Sequence, residues 1–351
     1  MAGAARTGMR IAHHVGSILM NDVSSVQRQL KAFHDDFGAM RRELGKAVVG
    51  IGEVVEHLLL AAVCGGHVLV EGPPGVGKTR LVERFAAIAG LSARRIQFTA
   101  DLTPADLIGT HVIMETPQGR RTFEFQQGPI FAQVVLADHI NRGLPKTQAA
   151  LLEAMEGDTV SVSTETFRLP EPHLVFATQN PAESDGVFPL PDAELDRFFF
   201  KLVVAPPGPA EIEAILERTT EPEDTAEQPV TDGRRLLEMR RTARAVACGA
   251  ALRRRVAELV AATHPGGAGA PEEIRRWVAG GASPRGAQAI VLAAKARAAS
   301  AGRAAVEPED IRAVARAALR HRLALNFEGQ AENVDADRLV DSVVERTELA
   351  G

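Results

Sequence analysis

Residues 66–85 read GHVLVEGPPGVGKTRLVERF. An apolar run, His67 to Glu71, leads into a Gly/Pro-rich turn and then into a stretch with helical spacing. The turn, Gly72 to Thr79, satisfies G-x-x-x-x-G-K-[ST] in the strand-loop-helix context that this pattern requires. Its chemistry follows from the residue types. Glycines let backbone N–H groups turn inward around phosphates, Lys78 brings a charge to the β- and γ-phosphates, and the Thr79 hydroxyl reaches Mg²⁺. The helix N-terminus adds its dipole. The candidate nucleotide-binding set is Gly72, Pro73, Pro74, Gly75, Val76, Gly77, Lys78, Thr79 and Arg80.

Working outward, residues 46–205 alternate short apolar runs with helical stretches. HVLVEG, RRIQFT, QVVLAD, HLVFAT and FKLVV read as strands, and KTRLVERFAAIAG and PKTQAALLEAM as helices. Such alternation predicts an α/β unit with a parallel sheet covered by helices. HVIMETPQGRRTFEF and DTVSVSTETFRLP alternate at period two about a polar centre, as inserted hairpins do. QVVLAD delivers Asp138 at a strand's carboxyl end, where ligands of open α/β sheets gather, so Asp138 is a candidate Mg²⁺ ligand, directly or through water.

Residues 1–45 carry Ile11, Val15, Ile18, Val26, Leu30, Phe33, Phe37, Met40 and Leu44 at steps of mostly three and four, predicting an amphipathic helical extension. A break is expected near Asn21 to Ser25, with Asp22 or Ser24 capping a second helix. Residues 206–230 form an acidic, proline-bearing connector around one helix. Residues 231–351 are Ala- and Arg-rich and helical in pattern, predicting a second, all-helical domain.

Composition narrows the function classes. A net charge of −5 with 45% hydrophobic residues fits a globular protein and argues against coating nucleic acid or an anionic membrane by bulk charge. The two cysteines, Cys64 and Cys248, are far apart and suggest neither a disulfide framework nor a zinc cluster. No apolar run approaches the ~20 residues of a membrane helix, and the N-terminal stretch resembles a signal peptide only weakly. A soluble, cytoplasmic protein is expected. The adjacent His13 and His14 face different sides of a helix and cannot chelate one metal by themselves. Arginine clusters at 253–255 and 275–276 could bind nucleic acid, but interspersed glutamates favour solvated helix faces.

The motifs, in order, are VVG (48–50), GPPGVGKT, RIQFTADLTPADLIGT, FEFQQGPIF, LADHINRG, PKTQAALLEAMEG, TFRLPEPHLVFATQNP, FPLPDAELDRFFF, GASPRGAQAI and LRHRLALNFEG. Together they resemble the MoxR group of AAA+ ATPases over nearly the whole chain after residue 45. The resemblance implies a three-layer P-loop sandwich with a parallel sheet, followed by a smaller all-helical lid, and a hexameric ring with Mg²⁺ and ATP bound between subunits. By position it places Val48, Val49 and Gly50 beside the adenine and makes Asn180 the polar sensor that positions the attacking water. Arg197 becomes the finger reaching the neighbour's γ-phosphate, and Arg285 the lid sensor contacting its own subunit's phosphates. The hairpin at 158–169 is expected to be the helix-2 insertion of this clade. The implied role is chaperone-like remodelling that assembles, activates or inserts metal into a partner protein, often one bearing a von Willebrand factor type A domain.

Two positions depart from the pattern. Gln126 stands where relatives usually carry a basic residue, with little effect expected on nucleotide handling. His139 stands where the family places the glutamate that polarises the attacking water. Three consequences are open. Loss of a general base slows hydrolysis by a typical ~10²- to 10⁴-fold while binding persists. Alternatively the imidazole, which titrates near pH ~6.5 when free, is itself the base. In the third, the ring points aside and other groups suffice. The first reading leads, and with it a rival function in which ATP cements a structural or regulatory subunit without productive turnover. A nucleic-acid motor is the weaker third.

Overall fold

The structure, a computed structural model, describes residues 3–115, 121–162, 165–181, 186–220, 228–347 and 349, and of these the side chains from Ser25 on, Thr219 excepted. The first part runs α1 (Gly3–Ala47), α2 (Gly52–Cys64), β1 (Val68–Glu71), α3 (Lys78–Ile88), β2 (Ala93–Gln97), α4 (Pro104–Ile108), β3 (Gly109–Glu115) and β4 (Arg121–Gln127). It continues with β5 (Val134–Asp138), α5 (Pro145–Gly157), β6 (Thr159–Val162), β7 (Glu165–Arg168), β8 (Leu174–Gln179), α6 (Asp192–Leu195), β9 (Phe200–Val203) and α7 (Pro209–Thr220).

The central sheet has the order β2-β5-β8-β1-β9, all parallel. Its inner strands β5, β8 and β1 read as apolar runs because both faces are covered, whereas the edge strand β2 is largely exposed. Val134, Leu136, Leu174, Phe176, Val68 and Val70 pack into one apolar cluster, while Val135, Ala137, Val175, Ala177 and Leu69 pack into the other. That period-two division makes the three layers. The two period-two segments form the antiparallel pairs β3–β4 and β6–β7.

Their positions correct one expectation. The helix that follows β2 is cut to five residues at Ile108 by the excursion through β3 and β4. The insertion into the second helix after the P-loop is therefore the 109–127 hairpin. The hairpin at 158–169 instead joins α5 to β8.

The expected helix break near Asn21 to Ser25 is absent, since α1 runs unbroken from Gly3 to Ala47 and no second helix starts at Asp22 or Ser24. The stretch contains neither Gly nor Pro, and its other residues each cost only tenths of a kcal/mol in a helix, up to ~0.7. Leu30, Phe33, Phe37, Met40 and Leu44 are buried as the spacing predicts, but Val26 is 46% exposed. The Ile11, Val15 and Ile18 positions and the histidines His13 and His14 lie outside the described side chains, as residues 221–227 of the connector lie outside the described residues.

The lid comprises α8 (Gly233–Ala245), α9 (Ala250–Ala262), α10 (Glu272–Trp277), β10 (Val278–Gly280), α11 (Pro284–Ser300), α12 (Pro308–Leu319), β11 (Ala324–Leu325), α13 (Phe327–Ala331) and α14 (Ala336–Arg346). It is helical, with a small antiparallel ribbon, β10–β11, added to what periodicity predicts. Helix α1 packs on α2 and α3 and on the lid helices α8 and α11. His34 Nδ1 meets the Ser300 carbonyl at 2.6 Å, and Arg235 Nε donates to Asp36 at 2.6 Å. None of the described helices is long and apolar enough to cross a membrane.

Candidate functional site

Parallel pairing brings the carboxyl ends of β5, β8 and β1 to one edge, and the candidate nucleotide residues collect there. The loop from Gly72 to Gly77 joins β1 to α3. Gly75 and Gly77 sit at φ 82° and 85°, the left-handed region, and a Cβ built on either would touch nothing. The backbone is thus shaped for glycine by conformation, and the space beside it is open. Lys78 begins α3, with Nζ donating 2.6 Å to the Gly72 carbonyl and 2.7 Å to that of Pro73. Its ammonium is held inside the curve of the loop. Thr79 follows in the first helical turn, and Arg80 after it. Pro74 is exposed at the loop's outer side, while Val76 packs against the main apolar cluster, which Val48 also borders. Val48, Val49 and Gly50 connect α1 to α2 under α7, where a Cβ on Gly50 would collide with the Glu211 carboxylate.

Asp138 ends β5 with its side chain 3% exposed. Thr178 Oγ1, from the adjacent β8, donates to Oδ1 at 2.5 Å; Arg95, from β2 on the other side, donates to Oδ2 through Nη2 at 2.5 Å and Nε at 3.1 Å. Burial works to raise the Asp138 pKa, but the hydrogen bonds from Thr178 and Arg95, with the charges nearby, outweigh it and hold the carboxyl below the usual range. His139 takes the left-handed conformation φ 55°, ψ 49°, with its backbone N–H donating to Thr178 Oγ1 at 3.0 Å. Its Nδ1 lies 3.5 Å from Asp138 Oδ1 and has no hydrogen-bond partner. Asn180 is buried one residue past the end of β8. The Asp138 carboxylate and the Thr79 hydroxyl are hard oxygen donors of the kind Mg²⁺ prefers, so the edge fits the ion expected with a nucleotide.

Arg197 and Arg285 lie elsewhere. Phe199 N–H donates to the His67 carbonyl at 2.8 Å, which fixes Arg197 near the amino end of β1, about 13 Å from the cradle for a strand of four residues at ~3.3 Å each. There Glu156, at the end of α5, holds both arginines: Arg197 Nη1 at 3.0 Å and Arg285 Nη2 at 2.6 Å. Arg285 also approaches Asp196 at 3.6 Å. They border a cavity of about 290 Å³ lined by His67, Glu156, Asp196 and Arg322 among others. The resemblance led to the expectation that Arg285 reaches its own subunit's phosphates; in this structure its ion pairs are with Glu156 and Asp196. The lid docks its α11 terminus on the amino edge of the sheet, so the two arginines share a face opposite the cradle.

Sequence reasoning missed several groups that the fold assembles. Arg95, Thr178, Glu156 and Asp196 each sit inside a quoted motif, but only strand order and parity reveal what they touch. Arg322, in LRHR, was also silent. Its buried guanidinium donates to Asp196 Oδ1 at 2.8 Å and to the Asp196 and Phe198 carbonyls at 3.0 and 2.6 Å.

Comparison with known proteins agrees with this arrangement. Residues 67–200 match the model of the ATPase family associated with various cellular activities (AAA), and residues 273–343 the AAA lid domain. The fold and site thus define a P-loop ATPase of the AAA class with a helical lid. The chain is 40% identical to Chaperone MoxR1 of Mycobacterium tuberculosis over 307 residues, 88% of this chain and 80% of that one. It is 36% identical to Protein MoxR of Paracoccus denitrificans over 84% of this chain and 90% of that one. A crystal structure of a Cytophaga hutchinsonii protein taken to be an ATPase superposes with a TM-score of 0.86 at 33% identity, covering 94% of this chain and 99% of that one. The chain belongs to the MoxR family.

Proposed function

We propose that this protein binds Mg²⁺-ATP at the carboxyl edge of its sheet and uses it to drive a chaperone-like ring that remodels a partner protein. The observation that carries the reading is the convergence of the Gly72–Thr79 cradle, Asp138 and Asn180 on adjacent strands β1, β5 and β8. The loop amides and Lys78 hold the phosphates, exchanging the Gly72 and Pro73 carbonyls for phosphate oxygens. Val48, Val49 and Gly50 border the base, and Asn180 orients water. Thr79 and Asp138 would hold Mg²⁺, which would supply positive charge against the phosphates.

Arg197 and Arg285, side by side on Glu156 at the opposite edge, are offered together to the nucleotide of a neighbouring subunit. Each site is then completed by two chains, which accounts for a ring, hexameric by resemblance, and for nucleotide-dependent assembly. The partner is a protein to be assembled, activated or loaded with metal, of which one bearing a von Willebrand factor type A domain is a type; the compartment is the cytoplasm. In the arginine clusters at 253–255 and 275–276, Arg255 pairs with Glu258 at 2.9 Å and Arg276 with Glu328 at 3.3 Å. That favours a protein client.

A fluorescent ATP analogue titrated in Mg²⁺, with light-scattering mass measured in parallel, tests the reading. Saturable binding and a rise from monomer to ring mass are expected. Absence of binding, or a monomer mass at saturating nucleotide, overturns it. The position of His139 favours a second reading, a nucleotide-locked structural or regulatory subunit. Assembly without phosphate release selects it.

A further inference from the structure

Asp138 carries more than a metal ligand's usual surroundings. Both lone-pair positions of Oδ2 are taken by Arg95, whose Nε and Nη2 converge on that single oxygen at 3.1 and 2.5 Å. Oδ1 accepts from Thr178 at 2.5 Å and faces His139 Nδ1 at 3.5 Å. To coordinate a metal, or accept from a metal-bound water, through Oδ2 the carboxylate has to release Arg95, and through Oδ1 it has to share the oxygen with Thr178. The two differ in freedom. Thr178 is 0% exposed on a strand flanked on both sides, whereas the Arg95 side chain is 48% exposed and extends from β2, the edge strand of the sheet. The arginine is the donor that can swing away.

We propose that Arg95 is a built-in counter-ion for Asp138, which competes with Mg²⁺ and sets how much of the ion nucleotide binding requires. This rests on the reading of Asp138 as a Mg²⁺ ligand. The physical reason is charge. An ionised carboxylate buried in this way is costly without a cation against it, and the side-on guanidinium supplies one. The fold therefore keeps the carboxylate ionised, oriented and paired, and replaces one cation by another when Mg²⁺-nucleotide enters. Thr178 fixes the carboxylate through the exchange. The described hydrogen bonds of the Arg95 guanidinium go to Asp138, a carboxylate that metal-free nucleotide does not need, so such binding does not engage the competition.

The test is the Mg²⁺ dependence of binding a fluorescent ATP analogue, read by fluorescence on the full chain, independent of turnover. In Arg95→Gln, which removes the charge, the Mg²⁺ concentration at half-saturation is expected to fall about tenfold, while affinity in EDTA stays within about twofold of the parent. Arg95→Lys, a charge without the planar fork, is expected to lie between the two. An unchanged or higher Mg²⁺ requirement in Arg95→Gln overturns the proposal. An EDTA affinity that drops in both variants also overturns it, since Arg95 would then support the fold. Should the parent itself bind no nucleotide, the functional reading fails with it, an outcome distinct from a parent that binds with a Mg²⁺ dependence the variants do not move.

Discussion

His139 holds a left-handed backbone conformation that a non-glycine residue rarely adopts, and its ring is thereby directed at the carboxylate beside it. The sequence identified the substitution; it could not show that the imidazole stays within 3.5 Å of Asp138. A histidine there leaves the cradle and Asp138 in place, so the step it is expected to affect is hydrolysis. His139→Glu is expected to raise the rate of phosphate release by about 10²-fold, the lower end of a general base's contribution, with nucleotide affinity little changed. A rate that is unchanged or lower in a phosphate-release assay would sink the slow-hydrolysis account.

A second residue-scale prediction concerns His67, which accepts from the Val175 N–H at 3.0 Å and is pushed down to a pKa of about 3 by burial, with the neighbouring His173 adding to the shift. The folded state keeps this ring neutral where the unfolded chain, titrating near pH ~6.5, takes up a proton. Stability is therefore complete above that pH and is lost as pH falls from ~6.5 toward 3, by up to about 1.4 kcal/mol per unit from this residue. Thermal midpoints measured across that window should fall, and His67→Gln should reduce the slope.

At the scale of elements, α1 was legible as an amphipathic helix but not as part of the core. Periodicity reports that a face is apolar and is silent about what covers it. Phe33 is 0% exposed and stacks on Phe37 at a centroid distance of 6.1 Å, within the cluster that also holds Phe85 and lid residues. Phe33→Ala is expected to cost about 3–5 kcal/mol in urea unfolding, more than an appended helix could. The hairpins were likewise legible as hairpins, each from its own alternation. Which of them interrupts the second helix was settled by the five-residue α4 that ends at Ile108. Phe125 of one stacks on Phe167 of the other at 4.3 Å, a contact between segments that no local pattern relates.

Across the whole molecule, the lid and the α/β domain meet at Asp196, the residue before Arg197. Ser283 donates to it at 2.8 Å, Arg285 lies 3.6 Å away, and Arg322 reaches its carboxylate and its carbonyl. The segment that carries Arg197 is thus held by the lid. Breaking a buried pair by removing one partner costs about 3–5 kcal/mol, the loss expected for Arg322→Ala, whose side chain is 2% exposed. Nucleotide affinity at the cradle, on the other edge, should be retained; a fluorescent-nucleotide titration in which it collapses would show the two edges to be coupled in one subunit.

By itself the sequence determined the phosphate-loop pattern, the parallel α/β class, the lid and the family, because each is written in contiguous residues whose spacing states its chemistry. Only the tertiary structure decided that Arg285 stands with Arg197 opposite the cradle, that Arg95 covers Asp138, and that α1 is core. Those relations join residues far apart in the chain, and they depend on the strand order β2-β5-β8-β1-β9 and on which face and end of each strand a side chain occupies. Local periodicity fixes an element's faces; the packing of the sheet and lid fixes what each face meets.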